Sequence, residues 1–212
     1  VHKSERTPLV SVLLHGPAGS GKTALAATLA MESNFPFIKL ISPESMVGYS
    51  ELARISAINK VFTDSYKSPL SVIVIDNIER LLDWVPIGAR FSNSVLQALM
   101  VLLKKPPPKG RRLLILATTN QKGVLGEMDM LDNFNAEIYV PPIRDVASVE
   151  FVLKDLQLYN QQELTQVMRS LYDEGVDTRL SLGIKKLLMI IEMARQDPQT
   201  KVEKLLASLN LE

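Results

Sequence analysis

The sequence predicts an α/β domain in which a five-stranded parallel sheet is covered by helices, followed by a small C-terminal helical subdomain. Three observations predict it. Short apolar runs alternate with helical stretches ahead of the proline pair Pro141 and Pro142. A glycine-rich octapeptide separates the first run from the first helical stretch. Beyond the prolines the apolar residues recur only at helical spacing.

The strand-like runs, in order, are Leu9 to His15, Phe37 to Ile41, Leu70 to Ile75, Leu113 to Thr118 and Ile138 to Val140. Each is a nearly unbroken apolar segment, as strands buried on both faces of a parallel sheet are. The helical stretches between them supply the crossovers that parallel strands require. Proline can continue neither a ladder nor a helix interior, so the pair closes a first subdomain, 1–141, and opens a second, 142–212. Four apolar stripes fill the second: Val149, Val152, Leu153, Leu156; Leu164, Val167, Met168, Leu171; Ile184, Leu187, Leu188, Ile191; and Val202, Leu205, Leu206, Leu209. Each follows the spacing of one helix face.

Composition narrows the function classes. Of 212 residues 46% are hydrophobic and 22% charged, which is ordinary globular usage. A net charge of +1 argues against a nucleic-acid binder held by a basic face. The absence of cysteine excludes disulfides and thiolate-bound zinc, and two histidines, His2 and His15, make a histidine metal site an unpromising reading. No apolar stretch reaches the length of a membrane span, so the expectation is a cytoplasmic protein without a transmembrane segment. The sequence opens at Val1 without methionine and is expected to be a piece of a longer polypeptide.

Gly16-Pro17-Ala18-Gly19-Ser20-Gly21-Lys22-Thr23 fits the Walker A pattern, and it stands between a strand and a helical stretch beginning at Ala24. Glycines let such a loop curl so that its amides face phosphate, and the following helix presents its positive end to the same charge. Gly16 to Ala24 are therefore the candidate nucleotide-binding residues, with Lys22 for the terminal phosphates and Thr23 for a magnesium ion. Val72-Ile73-Val74-Ile75-Asp76 has the Walker B form and makes Asp76 the second candidate metal residue. ATP and Mg2+ are the implied cofactors. The next residue is Asn77, and an amide offers no basic lone pair to accept a proton from attacking water. Glu79, two positions on, is the remaining weak candidate for a catalytic base.

With both motifs placed, the sequence resembles the AAA family of AAA+ P-loop proteins. Within it, the resemblance is to the second ATPase domain of the N-ethylmaleimide-sensitive factor group and its fungal vesicular-fusion counterparts. It covers essentially the whole chain and rests on Phe35-Pro36-Phe37-Ile38, Tyr66-Lys67-Ser68, Trp84-Val85-Pro86-Ile87-Gly88, Arg90-Phe91-Ser92-Asn93, Leu102-Leu103-Lys104-Lys105 and Gly183-Ile184-Lys185-Lys186. The resemblance implies a homohexamer belonging to a vesicle-fusion ATPase that disassembles SNARE bundles. The adaptor and SNARE contacts would lie outside this chain, and association with membranes would be peripheral. It implies that Asn120 is the sensor asparagine facing the terminal phosphate. It also implies that Gly183 and Lys185 approach the nucleotide from the helical subdomain and that Lys104 reaches the phosphate of an adjacent subunit in trans.

Three departures from an active member point to nucleotide binding with little hydrolysis. Asn77 replaces the usual glutamate. Met46-Val47-Gly48 stands where translocating members carry an aromatic residue. Met130 and Asn133 align with the two arginines that reach a neighbour's phosphate, and such an arginine is worth about 10³ to 10⁵ in rate. The alternative is a catalytically active AAA+ motor that uses Glu79 or a repositioned water. A small-molecule kinase is disfavoured by the helical tail.

Overall fold

A computed structural model describes residues 7–88, 90–173, 175–176 and 180–210; His2 lies outside them. The described residues gather into two compact units, one running up to Gly16 and resuming over Lys22–Val140, the other made of Pro17–Gly21 and the chain from Pro141 onward.

The first unit is built on strands β1 (Leu9–His15), β2 (Phe37–Ile41), β3 (Leu70–Ile75), β4 (Arg112–Thr119) and β5 (Ala136–Tyr139). They form one parallel sheet in the order β2-β3-β4-β1-β5. Alternation of side chains sorts this sheet into two faces. Leu13, Ile73, Ile75, Leu113, Ile115 and Ala117 enter one core cluster, while Leu14, Val72, Val74 and Leu116 enter another. Helix α1 (Lys22–Glu32) packs over β3 and β4 through the small residues Ala26 and Ala30, which belong to the second cluster. The opposite cluster is covered by α2 (Glu51–Ser65), the single turn α3 (Ile78–Leu81) and α4 (Asn93–Lys104). Ser50 caps α2 by accepting from the Ala53 amide, and Ser92 caps α4 by accepting from Val95, each satisfying an amide the helix leaves open. A short helix, α5 (Lys122–Glu127), follows β4.

The last strand differs from its sequence reading. It starts at Ala136 rather than Ile138, and the pairing continues one residue past Tyr139 through the Val140 amide to the His15 carbonyl at 2.8 Å. Its entry is fixed by polar groups instead of apolar ones: the Asn135 side chain accepts from the Ser11 amide at 2.7 Å, and the Asn135 amide donates to the Ser11 carbonyl at 2.9 Å. An exposed edge strand needs no apolar run, so periodicity missed its first half.

The second unit carries α6 (Val146–Leu156), α7 (Gln161–Asp173), α8 (Ile184–Ala194) and α9 (Lys201–Asn210) around one core cluster. Asp145 caps α6 by accepting from the Ser148 amide at 2.6 Å. Asn160 and Glu163 form a reciprocal box at the start of α7, each side chain accepting from the other's amide. The stripe on α7 is the one the spacing predicts. On α8 the face is rotated: Leu187, Ile190, Ile191 and Ala194 are buried, whereas Leu188 is 38% exposed. Leu187 to Ile191 are five consecutive apolar positions, so the sequence alone leaves the phase open. Among the described residues no helix is long and apolar enough to cross a membrane.

Phe62 is fully buried on α2 in the cluster beneath the sheet. Phe62→Ala is expected to cost about 3–5 kcal/mol of unfolding free energy, to be read from denaturant titration; a loss under about 1 kcal/mol would mean that α2 does not pack as described.

Candidate nucleotide-binding site

The carboxyl ends of β1, β3 and β4 bring together the candidate residues of the first unit. In an open parallel sheet this is where crossover loops converge and ligands bind. Asp76, at the end of β3, is 6% exposed, and its amide donates to the Ile41 carbonyl at 2.9 Å. Its Oδ1 accepts from the Thr23 hydroxyl at 2.7 Å and from the Thr118 hydroxyl at 2.7 Å. Its Oδ2 accepts from the Asn77 amide nitrogen at 2.9 Å. Burying a carboxylate is tolerable only with such partners.

Asn77 is placed by its backbone. It sits at φ 49°, in the left-handed region that asparagine tolerates better than most residues, ahead of α3. Its backbone amide donates to Thr118 Oγ1 at 2.9 Å, and its side-chain oxygen accepts from Asn120 Nδ2 at 3.2 Å. One amide side chain thus links the two sequence-predicted residues Asp76 and Asn120, donating to the first and accepting from the second. Glutamate at this position could not donate to Asp76 and would set a second negative charge beside it.

Glu79 is buried at 4% exposure on α3. Its Oε2 accepts from the Thr119 hydroxyl at 2.7 Å and its Oε1 from the Asn120 backbone amide at 3.0 Å. Lys22 is buried at the start of α1, and its Nζ donates to the Gly16 carbonyl at 2.9 Å. Burial pushes the Lys22 ammonium below the ordinary lysine range, while Glu79 and Asp76 pull it back up. A phosphate at Nζ would act on it as those carboxylates do.

The oxygen pair of Thr23 and Asp76 suits a hard cation such as Mg2+, which favours oxygen ligands. No group of three or more acidic, histidine or cysteine side chains that could hold a metal occurs among the described residues. Phosphate and water would have to complete such a shell.

In the second unit, the loop tip Pro17–Gly21 lies with the start of α8. The Lys185 amide donates to the Gly19 carbonyl at 3.1 Å, and the Ser20 amide donates to the Pro17 carbonyl at 3.3 Å. Gly19 and Gly21 hold φ of 77° and 94°, conformations that side chains rarely adopt. Gly183 meets the loop so closely that an added Cβ would stand 2.8 Å from the Gly19 carbonyl oxygen. The Lys185 side chain is exposed.

Other sequence-predicted positions fall elsewhere. Lys104 ends α4 with an exposed side chain in the first unit, beside a cleft lined by Leu103, Pro106 and Phe134. Met46 closes a 3-10 turn, Pro43–Met46, with its side chain in the core, and the residues after it, Val47, Gly48 and Tyr49, are exposed. Met130 is fully buried and Asn133 is 6% exposed, its side chain donating to the Asp129 and Met130 carbonyls. Both side chains are thus buried within the first unit. Sequence reasoning missed the hydroxyls of Thr118 and Thr119; their place directly before Asn120 at the end of an apolar strand was the available signal.

Residues 12–142 match the ATPase family associated with various cellular activities (AAA). The chain belongs to the AAA family. Residues 145–212 match the NSF, AAA+ ATPase lid domain, so the helical unit of this AAA protein is a lid of that kind. Among similar proteins are the vesicular-fusion protein sec18 of Schizosaccharomyces pombe, 54% identical over 198 residues, and a vesicle-fusing ATPase of Dictyostelium discoideum, 48% identical over 197. Each alignment covers 93% of this chain and 25% and 26% of the respective relative. The vesicular-fusion protein SEC18 of Saccharomyces cerevisiae is 47% identical over 197 residues, with the same 93% and 26% coverage. The chain spans about a quarter of the length of these relatives.

Gly183→Ala is expected to lower the melting temperature and weaken ATP binding about tenfold, because the methyl group meets loop backbone that cannot rotate away. Gly123→Ala on α5, where the added carbon meets open space, is expected to leave both unchanged or to stabilise slightly. Equal behaviour of the two variants in calorimetry would show that the loop tip does not rest on Gly183.

Proposed function

We propose that this chain is the second ATPase domain of a vesicle-fusion ATPase, and that it binds ATP with Mg2+ to hold a homohexamer together while hydrolysing little. The observation that carries the reading is Asn77, an amide engaged with both Asp76 and Asn120 where an active member would present a carboxylate. Family membership supports nucleotide binding, and the relatives named as vesicle-fusing support the setting. On this reading Gly16 to Thr23 and Ala24 cradle the phosphates, and Asn120 and Lys185 face the terminal one. Thr23 and Asp76 hold the metal, whose contribution is charge neutralisation on the phosphates. SNARE and adaptor contacts belong to other parts of a longer protein, which would meet membranes from the cytoplasm through those partners.

The competing reading is a working motor with Glu79 as base. It requires a carboxylate oxygen facing water, and both oxygens of Glu79 already accept from Thr119 and Asn120. The segment from Gln121 to Glu137 contains no arginine to serve a neighbour. Asn77→Glu alone is therefore expected to remain slow. A restored base contributes about 10² to 10⁴, whereas the missing arginine is separately worth about 10³ or more. Single-turnover hydrolysis on the order of one per second in that variant would overturn the reading that a missing arginine in trans limits the reaction.

Assembly tests the hexamer. If Lys104 contacts the phosphate of an adjacent subunit, Lys104→Ala weakens ATP binding only at protein concentrations where the ring forms, whereas Lys185→Ala weakens it at all concentrations. Linkage demands the reciprocal: ATP must tighten assembly by the affinity it gains there. Sedimentation and ATP titration above and below the assembly threshold read both, with Lys22→Ala as the non-binding control. Identical behaviour of the two lysine variants rejects the role in trans.

A further inference from the structure

Glu79 is unused by the function proposed above, yet it is among the most buried polar residues of the first unit at 4% exposure. No basic side chain pairs with it among the described ion pairs. Its hydrogen-bond partners are neutral donors on one short stretch of chain, the Thr119 hydroxyl and the Asn120 backbone amide. Thr119 Oγ1 in turn accepts from the Gln121 amide at 3.0 Å. The carboxylate therefore clamps three consecutive residues where β4 leaves the sheet. A buried acceptor with two short bonds fixes that backbone far more tightly than a turn exposed to water would.

We propose that Glu79 is a positioning residue that sets Asn120 for the terminal phosphate and so gives the site its preference for ATP over ADP. The proposal rests on the nucleotide-binding reading above, in which Asn120 faces that phosphate. The clamp acts from α3, and Asn77, which precedes α3, holds the Asn120 side chain from the other direction at 3.2 Å. Backbone and side chain of Asn120 are thus both tied to the segment after β3. Removing the carboxylate leaves the Asn120 amide and the Thr119 hydroxyl without their acceptor and lets the turn move. Contacts of the loop amides to the α- and β-phosphates do not pass through this clamp; the charge of Glu79 also acts on Lys22, and Glu79→Gln, which removes that charge and keeps the acceptor, separates the two effects. Loss of Glu79 should therefore be felt by ATP and not by ADP.

The test measures ATP and ADP affinities by calorimetry for wild type, Glu79→Ala, Glu79→Gln, Asn120→Ala and the double variant. Glutamine keeps an acceptor for the Asn120 amide and can donate to Thr119 Oγ1, so it should retain the wild-type ATP-to-ADP ratio. Glu79→Ala should lower that ratio about tenfold with ADP affinity held, and should lower it no further in the Asn120→Ala background. A merely structural role would weaken both nucleotides alike, and that result overturns the proposal, as does full additivity with Asn120→Ala. Should Glu79→Ala fail to fold, Glu79→Asp keeps the charge but reaches less far; a wild-type ratio in it overturns the proposal and a lowered ratio supports it. A wild type that binds neither nucleotide removes the underlying reading. A wild type that prefers ATP beside a Glu79→Ala variant that prefers it equally removes only this inference.

Discussion

Three hydrogen-bond donors from three parts of the chain converge on one buried carboxylate, that of Asp76. Thr23 comes from α1, Thr118 from β4 and Asn77 from the turn after β3, while the Asp76 amide ties the same point to the end of β2. A carboxylate at this depth without partners would be costly. Meeting its demand fixes where α1 begins, how far β4 extends and how the chain leaves β3. The charge that organises these ends is also what would attract a cation.

The residue after Asp76 decides between two uses of this arrangement. A side chain there can bring a free carboxylate to water, or it can close the hydrogen-bond circuit between Asp76 and Asn120. Asparagine closes it, because one amide group both donates and accepts. The left-handed backbone at Asn77 suits the same residue. On the reading proposed here, the circuit holds Asn120 still without supplying a base. Ground-state contacts to a nucleotide survive while the step needing proton transfer loses its acceptor.

Much of this was legible in the sequence, for physical reasons that vary by element. The five strands and the phosphate loop announced themselves because buried parallel strands are apolar throughout and the loop's glycines are compulsory. The start of β5 did not, since it is an exposed edge held by Ser11 and Asn135 rather than by apolar contact. The phase of α8 was hidden by its unbroken apolar run from Leu187 to Ile191. The burial of Met46, Met130 and Asn133 depends on short turns that spacing does not encode. For Glu79 the sequence offered proximity to Asp76. Its two bonds to the end of β4 join residues 40 and 41 positions apart, which no local pattern could show.

The glycine-rich loop itself is divided. Lys22 and Thr23 begin α1 and belong with the sheet, whereas Pro17–Gly21 belong with the helical unit, where the Gly19 carbonyl accepts from Lys185 and Gly183 leaves room for it. A ligand that takes hold of amides in Pro17–Gly21 therefore takes hold of the helical unit's own backbone. One that reaches Lys22 and Thr23 engages the sheet. Each contact favours whichever arrangement of its own unit binds phosphate better, and a ligand shifts a conformation only by its difference in affinity for the alternatives. Gly183 shapes the loop as closely as the glycines of the motif do, because a Cβ there would meet the Gly19 carbonyl, although it lies 162 positions beyond Gly21 in the sequence.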